Sequence, residues 1–101
     1  MVEKQTDAAR VEPIVMLRLE IVNLSDELLA DFEAEAPILP QGVVWHEGMT
    51  VWANECRRAN VNKIETDMRG NVFVYLQYSL NQSEIDEYEC GLLAAVGWRS
   101  L

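Results

Sequence analysis

The stretch from Val72 to Leu80 limits the fold more than any other part of the chain. Val72, Val74, Leu76 and Tyr78 alternate with Phe73 and Tyr75, so both faces are apolar or aromatic. A period of two with β-branched and aromatic residues predicts a strand, and apolar character on both faces predicts a central one. Arg69-Gly70-Asn71 precedes it as a turn. Before that turn, Ile64, Thr66 and Met68 alternate with Lys63, Glu65 and Asp67, so residues 61–68 and 72–80 make a hairpin. Val15, Leu17, Leu19 and Ile21 alternate with Met16, Arg18, Glu20 and Val22 in the same way. They predict a further strand with one apolar and one mixed face.

Helices are expected between and after these strands. Leu24-Ser25-Asp26-Glu27 reads as a helix start: Ser25 caps the first turn, and Leu24 and Leu29 stand at staple positions. Leu28, Leu29, Phe32 and Ala36 share one face, and Pro37 and Pro40 stop the run. Asn81 with Glu84 resembles a capping box for a last helix, which would bury Ile85, Tyr88, Leu92, Ala95 and Val96 and end at Gly97. Residues 43–60 have two readings. One is a strand over 43–46 followed by a helix with Met49, Trp52, Ala53, Cys56 and Ala59 on one face. The other is a hairpin of strands 43–46 and 49–53 about Glu47-Gly48. Ala53 to Ala59 favours the helix.

The expected fold class is therefore α+β: a small antiparallel or mixed sheet with helices packed on one face, for which a ferredoxin-like sandwich is one arrangement. At 101 residues, one domain is the natural count. It would run over 13–101, with 1–12 as a flexible N-terminal tail. No apolar run approaches the ~20 residues that span a bilayer, and the first residues lack the apolar stretch of a secretory signal. A cytoplasmic location is expected.

Charge narrows the function. The chain has 17 Asp and Glu against 8 Lys and Arg, a net charge of −9. Residues 26–35 hold −5 of this and residues 84–89 hold −4, and the remainder cancels. Direct nucleic-acid binding and anionic membranes are disfavoured, because phosphates need Lys and Arg. A basic protein surface is the natural partner, and a nucleic-acid-binding protein would supply one. The leading expectation is a small acidic, non-catalytic interaction module of the inhibitor, immunity or chaperone/adaptor type that binds a basic surface through acidic helix faces. Its partner-binding residues would be Asp31, Glu33, Glu35, Glu84 and Glu87, with Trp45 and Trp98 as aromatic anchors. A homo-oligomer is compatible with this. If the two acidic windows lie side by side, they form one face. If they lie on opposite sides, helix dipoles and solubility account for them.

The alternative is a small ligand-binding domain or enzyme with a pocket between sheet and helices, using His46, Cys56, Glu65 and Asp67. His46, Cys56 and Cys90 match no metal-ligand spacing, and no phosphate loop or nucleophile elbow is present. No catalytic residue, metal or cofactor is therefore assigned. The two cysteines are read as reduced thiols, unless the fold brings their Cα atoms within about 7 Å.

Overall fold

The computed structural model describes residues 14–101, so the expected tail over 1–12 lies outside the described residues. Six strands form one mixed sheet: β1 (Val15–Val22), β2 (Leu28–Glu35), β3 (Thr50–Trp52), β4 (Arg58–Thr66), β5 (Val72–Ser79) and β6 (Arg99–Ser100). One helix, α1 (Glu87–Ala95), connects β5 to β6. The strand order is β3-β4-β5-β1-β2-β6. β1 and β5 run parallel at the centre, and the other pairs are antiparallel.

The α+β expectation is overturned. Strands hold 43% of the described residues and helix 10%, in one short helix, so this is a mostly β fold and not a sheet with several helices packed on it. The helix expected over 25–36 is β2. Its apolar residues Ala30, Phe32 and Ala34 stand opposite Ile21, Leu19 and Leu17 of β1. Asn23, rather than Ser25, organises the start. Its Oδ1 accepts from the amides of Ser25 and Glu27 at 2.8 and 2.9 Å, and its own amide donates to the Glu27 carbonyl. Asp26 takes a positive φ of 64°, which an Asp tolerates in a tight turn. Pairing with β1 outweighs the weak β preference of Ala, Asp and Glu. Residues 43–60 fit neither reading: β3 is three residues long and pairs with β4, and 43–46 is loop.

The strand over 15–22 and the 61–80 hairpin form as expected. Asp67 builds the turn between β4 and β5: its Oδ1 accepts from the Arg69 and Asn71 amides at 2.8 and 2.9 Å. Its Oδ2 accepts from Asn71 Nδ2 at 3.0 Å, and Gly70 closes the turn at a φ of +86°.

Burial falls on one face of the sheet. Leu19, Ile21, Val74, Leu76 and Leu93 are the largest fully buried side chains. The cover is α1 through Leu93, with Trp98, the 36–49 loop through Trp45, and the segment after β3 through Ala53. The helix starts at Asp86, whose side chain accepts from the Glu89 amide at 2.8 Å, and not at Asn81. Its inward residues are Glu89 and Leu93, whereas Tyr88 and Val96 are exposed. Gly97 ends it at a φ of 101°. No helix among the described residues is long and apolar enough to cross a membrane.

Two outcomes follow from these contacts. Leu93→Ala will lower stability by about 3 kcal/mol in urea denaturation, because it removes the helix's fully buried contact with the sheet. The second concerns acid. Hydrogen bonds from the Glu89 amide and Gln82 hold the Asp86 carboxyl below its ordinary value of 3.8. At Asp67, desolvation pushes upward, but the Asn71 side chain and the two turn amides outweigh it. Both folded pKa values are depressed, so the stabilisation is complete above the ordinary carboxylate value and is lost as pH falls below it. Thermal melts between pH 6 and pH 3 will show a steeper loss for the parent than for an Asp67→Asn, Asp86→Asn double variant.

Candidate functional site

Among the described residues no helix or loop covers the second face of the sheet, and its side chains fall in cross-strand rows. The middle row is Lys63, Tyr75, Arg18, Glu33 and Arg99, one residue from each of β4, β5, β1, β2 and β6. Lys63 Nζ lies 4.6 Å from the Tyr75 ring centre and 3.3 Å from Glu65. Arg18 lies over Phe73 at 5.4 Å and reaches Glu33 at 3.5 Å. Arg99 approaches the same Glu33 at 3.5 Å. Each contact is an exposed or half-exposed one, worth about 0–1 kcal/mol. Together they place a mixed aromatic and charged surface at the centre of the face.

The neighbouring rows hold neutral and acidic residues and no cation. One runs Asn60, Gln77, Glu20 and Asp31, and the other Glu65, Phe73, Met16 and Glu35. The β1–β2 half therefore presents Glu20, Asp31, Glu33 and Glu35 on one surface. Glu20 and Asp31 are direct cross-strand partners. Like charges in that register repel and destabilise the pair. Among the described residues neither has an ion-pair partner, because both nearby arginines turn to Glu33.

Asp31, Glu33 and Glu35 thus stand together, but on a strand and not on a helix. Glu84 lies in the loop before α1 and Glu87 is its first residue, both exposed on the opposite, covered side. The two acidic windows occupy opposite faces of the sheet and do not merge. Trp45 is half-buried in the 36–49 loop. Trp98 is 7% exposed and donates its indole N–H to the Ala53 carbonyl at 2.7 Å.

The residues of the catalytic alternative are separated. His46 is exposed, with Nδ1 3.0 Å from the adjacent Glu47 carbonyl. Cys56 is exposed at the far end of the β3–β4 hairpin, and Cys90 is half-buried on α1; both are free thiols. Glu65 pairs with Lys63 while Asp67 builds the turn, so they form no carboxylate dyad. Glu20 stands opposite Gln77 and Asp31, away from Glu65. No group of three potential metal ligands forms among the described residues.

One polar cluster was not foreseen in the sequence. Glu89 is 2% exposed and accepts the Tyr78 hydroxyl at 2.6 Å and Asn54 Nδ2 at 3.4 Å. Arg57 grips it with Nε at 3.2 Å and Nη2 at 3.3 Å, one bond to each oxygen. Burial, and then the bond to Glu89, push the Tyr78 hydroxyl well above its ordinary pKa. The bond to Glu89 likewise raises Arg57. Asn54 Oδ1 accepts from the amides of Cys56 and Arg57 at 2.7 and 2.9 Å. The cluster ties the loop after β3 to β5 and α1, with Trp98 holding the loop's first residue. Its charged and polar groups answer one another across three segments, and it acts as a structural clasp. The available signal was the spacing of Glu89 and Leu93, which is as helical as the stripe that the apolar count selects.

Family models, curated proteins and solved structures provide no match to this chain.

The clasp makes a ranked prediction. Tyr78→Phe removes one hydrogen bond to a charged group and will cost about 1–2 kcal/mol. Glu89→Ala leaves Tyr78 and Asn54 without an acceptor and will cost about 3 kcal/mol, moderated because Arg57, 42% exposed, regains water. Denaturant midpoints of the two variants will give this order.

Proposed function

We propose that the chain is a non-catalytic interaction module that binds a basic protein surface through the acidic half of its open sheet face. The carrying observation is the Glu20–Asp31 pair. A cross-strand like-charge pair on an exposed face costs stability, and here no cation among the described residues relieves it. Any residue pair of higher β preference would serve the fold better at these positions. A partner that brings Lys or Arg to this surface removes the repulsion and gains the attraction. Its charge also speeds encounter at low salt.

Glu33 plays a different part in this reading. Its two arginines fix its orientation in the middle of the strip and keep the strip from being uniformly negative, so the partner must place its cations on the Glu20 and Asp31 side. Such placement gives register more than affinity. Glu84 and Glu87 lie on the other face and take no part.

A Glu20→Gln, Asp31→Asn variant will be more stable than the parent, by about 0.2–1 kcal/mol. It will also lose the basic protein that the immobilised parent captures from cell extract, and the parent's capture will weaken steeply with rising salt. Glu84→Gln, Glu87→Gln will capture as the parent does. Equal capture by the Glu20/Asp31 variant would rule out the open face as the binding surface.

A further inference from the structure

Trp98 belongs to the core, Trp45 packs against it, and Trp52 is exposed. All three line one cavity of about 350 Å³ on the covered side of the sheet, under the 36–49 loop. Leu17, Leu39 and Val51 provide its aliphatic walls. A second hollow of about 440 Å³ lies on the loop's other side, lined by Val15, Ile38, Val44 and again Trp45. Trp45 therefore borders two apolar spaces, together with Pro37 and Leu39. Interiors are normally packed to near-crystalline density, and an indole with open space on both sides forfeits dispersion contacts. This makes the Trp45 side chain the adjustable wall of the cavity.

Trp98 is its counterpart. Its indole N–H is fixed to the Ala53 carbonyl and its ring is almost wholly buried, so it offers a rigid aromatic wall. Trp52 contributes less, because Arg58 already lies 5.1 Å from its ring centre. Among the described residues neither hollow has a Lys or Arg in its lining, and the chain carries −9. An anion would meet an adverse field. A cation with apolar surface would meet aromatic faces, aliphatic walls and a favourable field, and aromatic recognition of quaternary and methylated ammonium works through these same features.

We propose that this cavity binds a methylated ammonium group, with Trp45 and Trp98 as its aromatic walls. The site is independent of the Glu20–Asp31 surface, so either can fail without the other. The group can come from a free quaternary amine or from a methylated lysine of a peptide.

Calorimetry and tryptophan fluorescence on the full chain test this with choline, its neutral carbon isostere 3,3-dimethylbutanol, and a peptide carrying trimethyl-lysine or unmodified lysine. Choline or the trimethyl-lysine peptide will bind, and whichever binds more tightly identifies the source. The neutral isostere will bind about tenfold more weakly than choline, and unmodified lysine about tenfold more weakly than its methylated form. Trp45→Leu will lower affinity about tenfold while circular dichroism shows an intact fold, and Trp45→Phe will recover part of the loss. Glu20→Gln, Asp31→Asn will leave binding unchanged. Equal binding of choline and its isostere, full affinity in Trp45→Leu, or no binding of either methylated probe overturns the proposal.

Discussion

The parallel pairing of β1 with β5 joins two units that would be marginal alone. The β1–β2 hairpin and the β3–β4–β5 meander are each too small to bury a core, because two or three strands without a packed face are barely stable in water. Pairing Val15–Val22 with Val72–Ser79 sets Leu17, Leu19 and Ile21 beside Val74, Leu76 and Tyr78 in one continuous layer. The register also decides which side chains go to the other face. Because alternation has a period of two, burying Leu19 and Leu76 leaves Arg18, Glu20, Tyr75 and Gln77 outside.

A single helix cannot cover six strands. The covered face is completed by irregular chain: the 36–49 loop, the segment after β3, and Trp98. Loops cover a sheet less densely than helices, and the hollows on either side of Trp45 are the consequence. The Glu89 clasp limits the same weakness at the other end of the covered side. There the backbone of residues 53–57 has few ladder bonds, and a buried carboxylate with four donors replaces them. A buried ion pair of this kind adds little net stability over an apolar substitute, but it admits few alternative geometries.

What was legible in the sequence was the part governed by strong local pattern. Val72–Ser79 and Val15–Val22 have β-branched and aromatic residues in alternation, and Arg69-Gly70-Asn71 has turn chemistry, so both strands and the hairpin could be read directly, although Asp67 was counted with the strand and not with the turn. β2 was missed for a physical reason. Ala30, Phe32 and Ala34 alternate with Asp31, Glu33 and Glu35, which is a strand pattern, but Ala and Glu favour helices and Ser25 resembles a cap. The partner strand decided between the two, and pairing is not a local property. α1 was found with its inward face displaced, because Glu89 was counted as a surface charge. The burial of Glu89 depends on Arg57, Tyr78 and Asn54, which come from three separate segments. The candidate acidic residues 31, 33 and 35 were named from charge alone. Their union with Glu20 required the register.

The carboxylates of the described residues separate into classes. Asp67 and Asp86 satisfy backbone amides, Glu89 is buried and paired, Glu65 answers Lys63, and Glu33 answers two arginines. These acids serve the fold, and their negative charge is largely spent within the molecule. Glu20 and Asp31 belong to another class: they face each other across β1 and β2, on the side that no described helix or loop covers, and oppose the pairing of those two strands. Solubility does not require that arrangement, since exposed acids in loops such as Glu47, Glu55 and Glu84 supply charge without straining a strand pair. The cost is local to the open face, and so a benefit that offsets it must also act there. A cationic surface laid on β1 and β2 supplies one, and it converts the repulsion within the sheet into attraction across an interface.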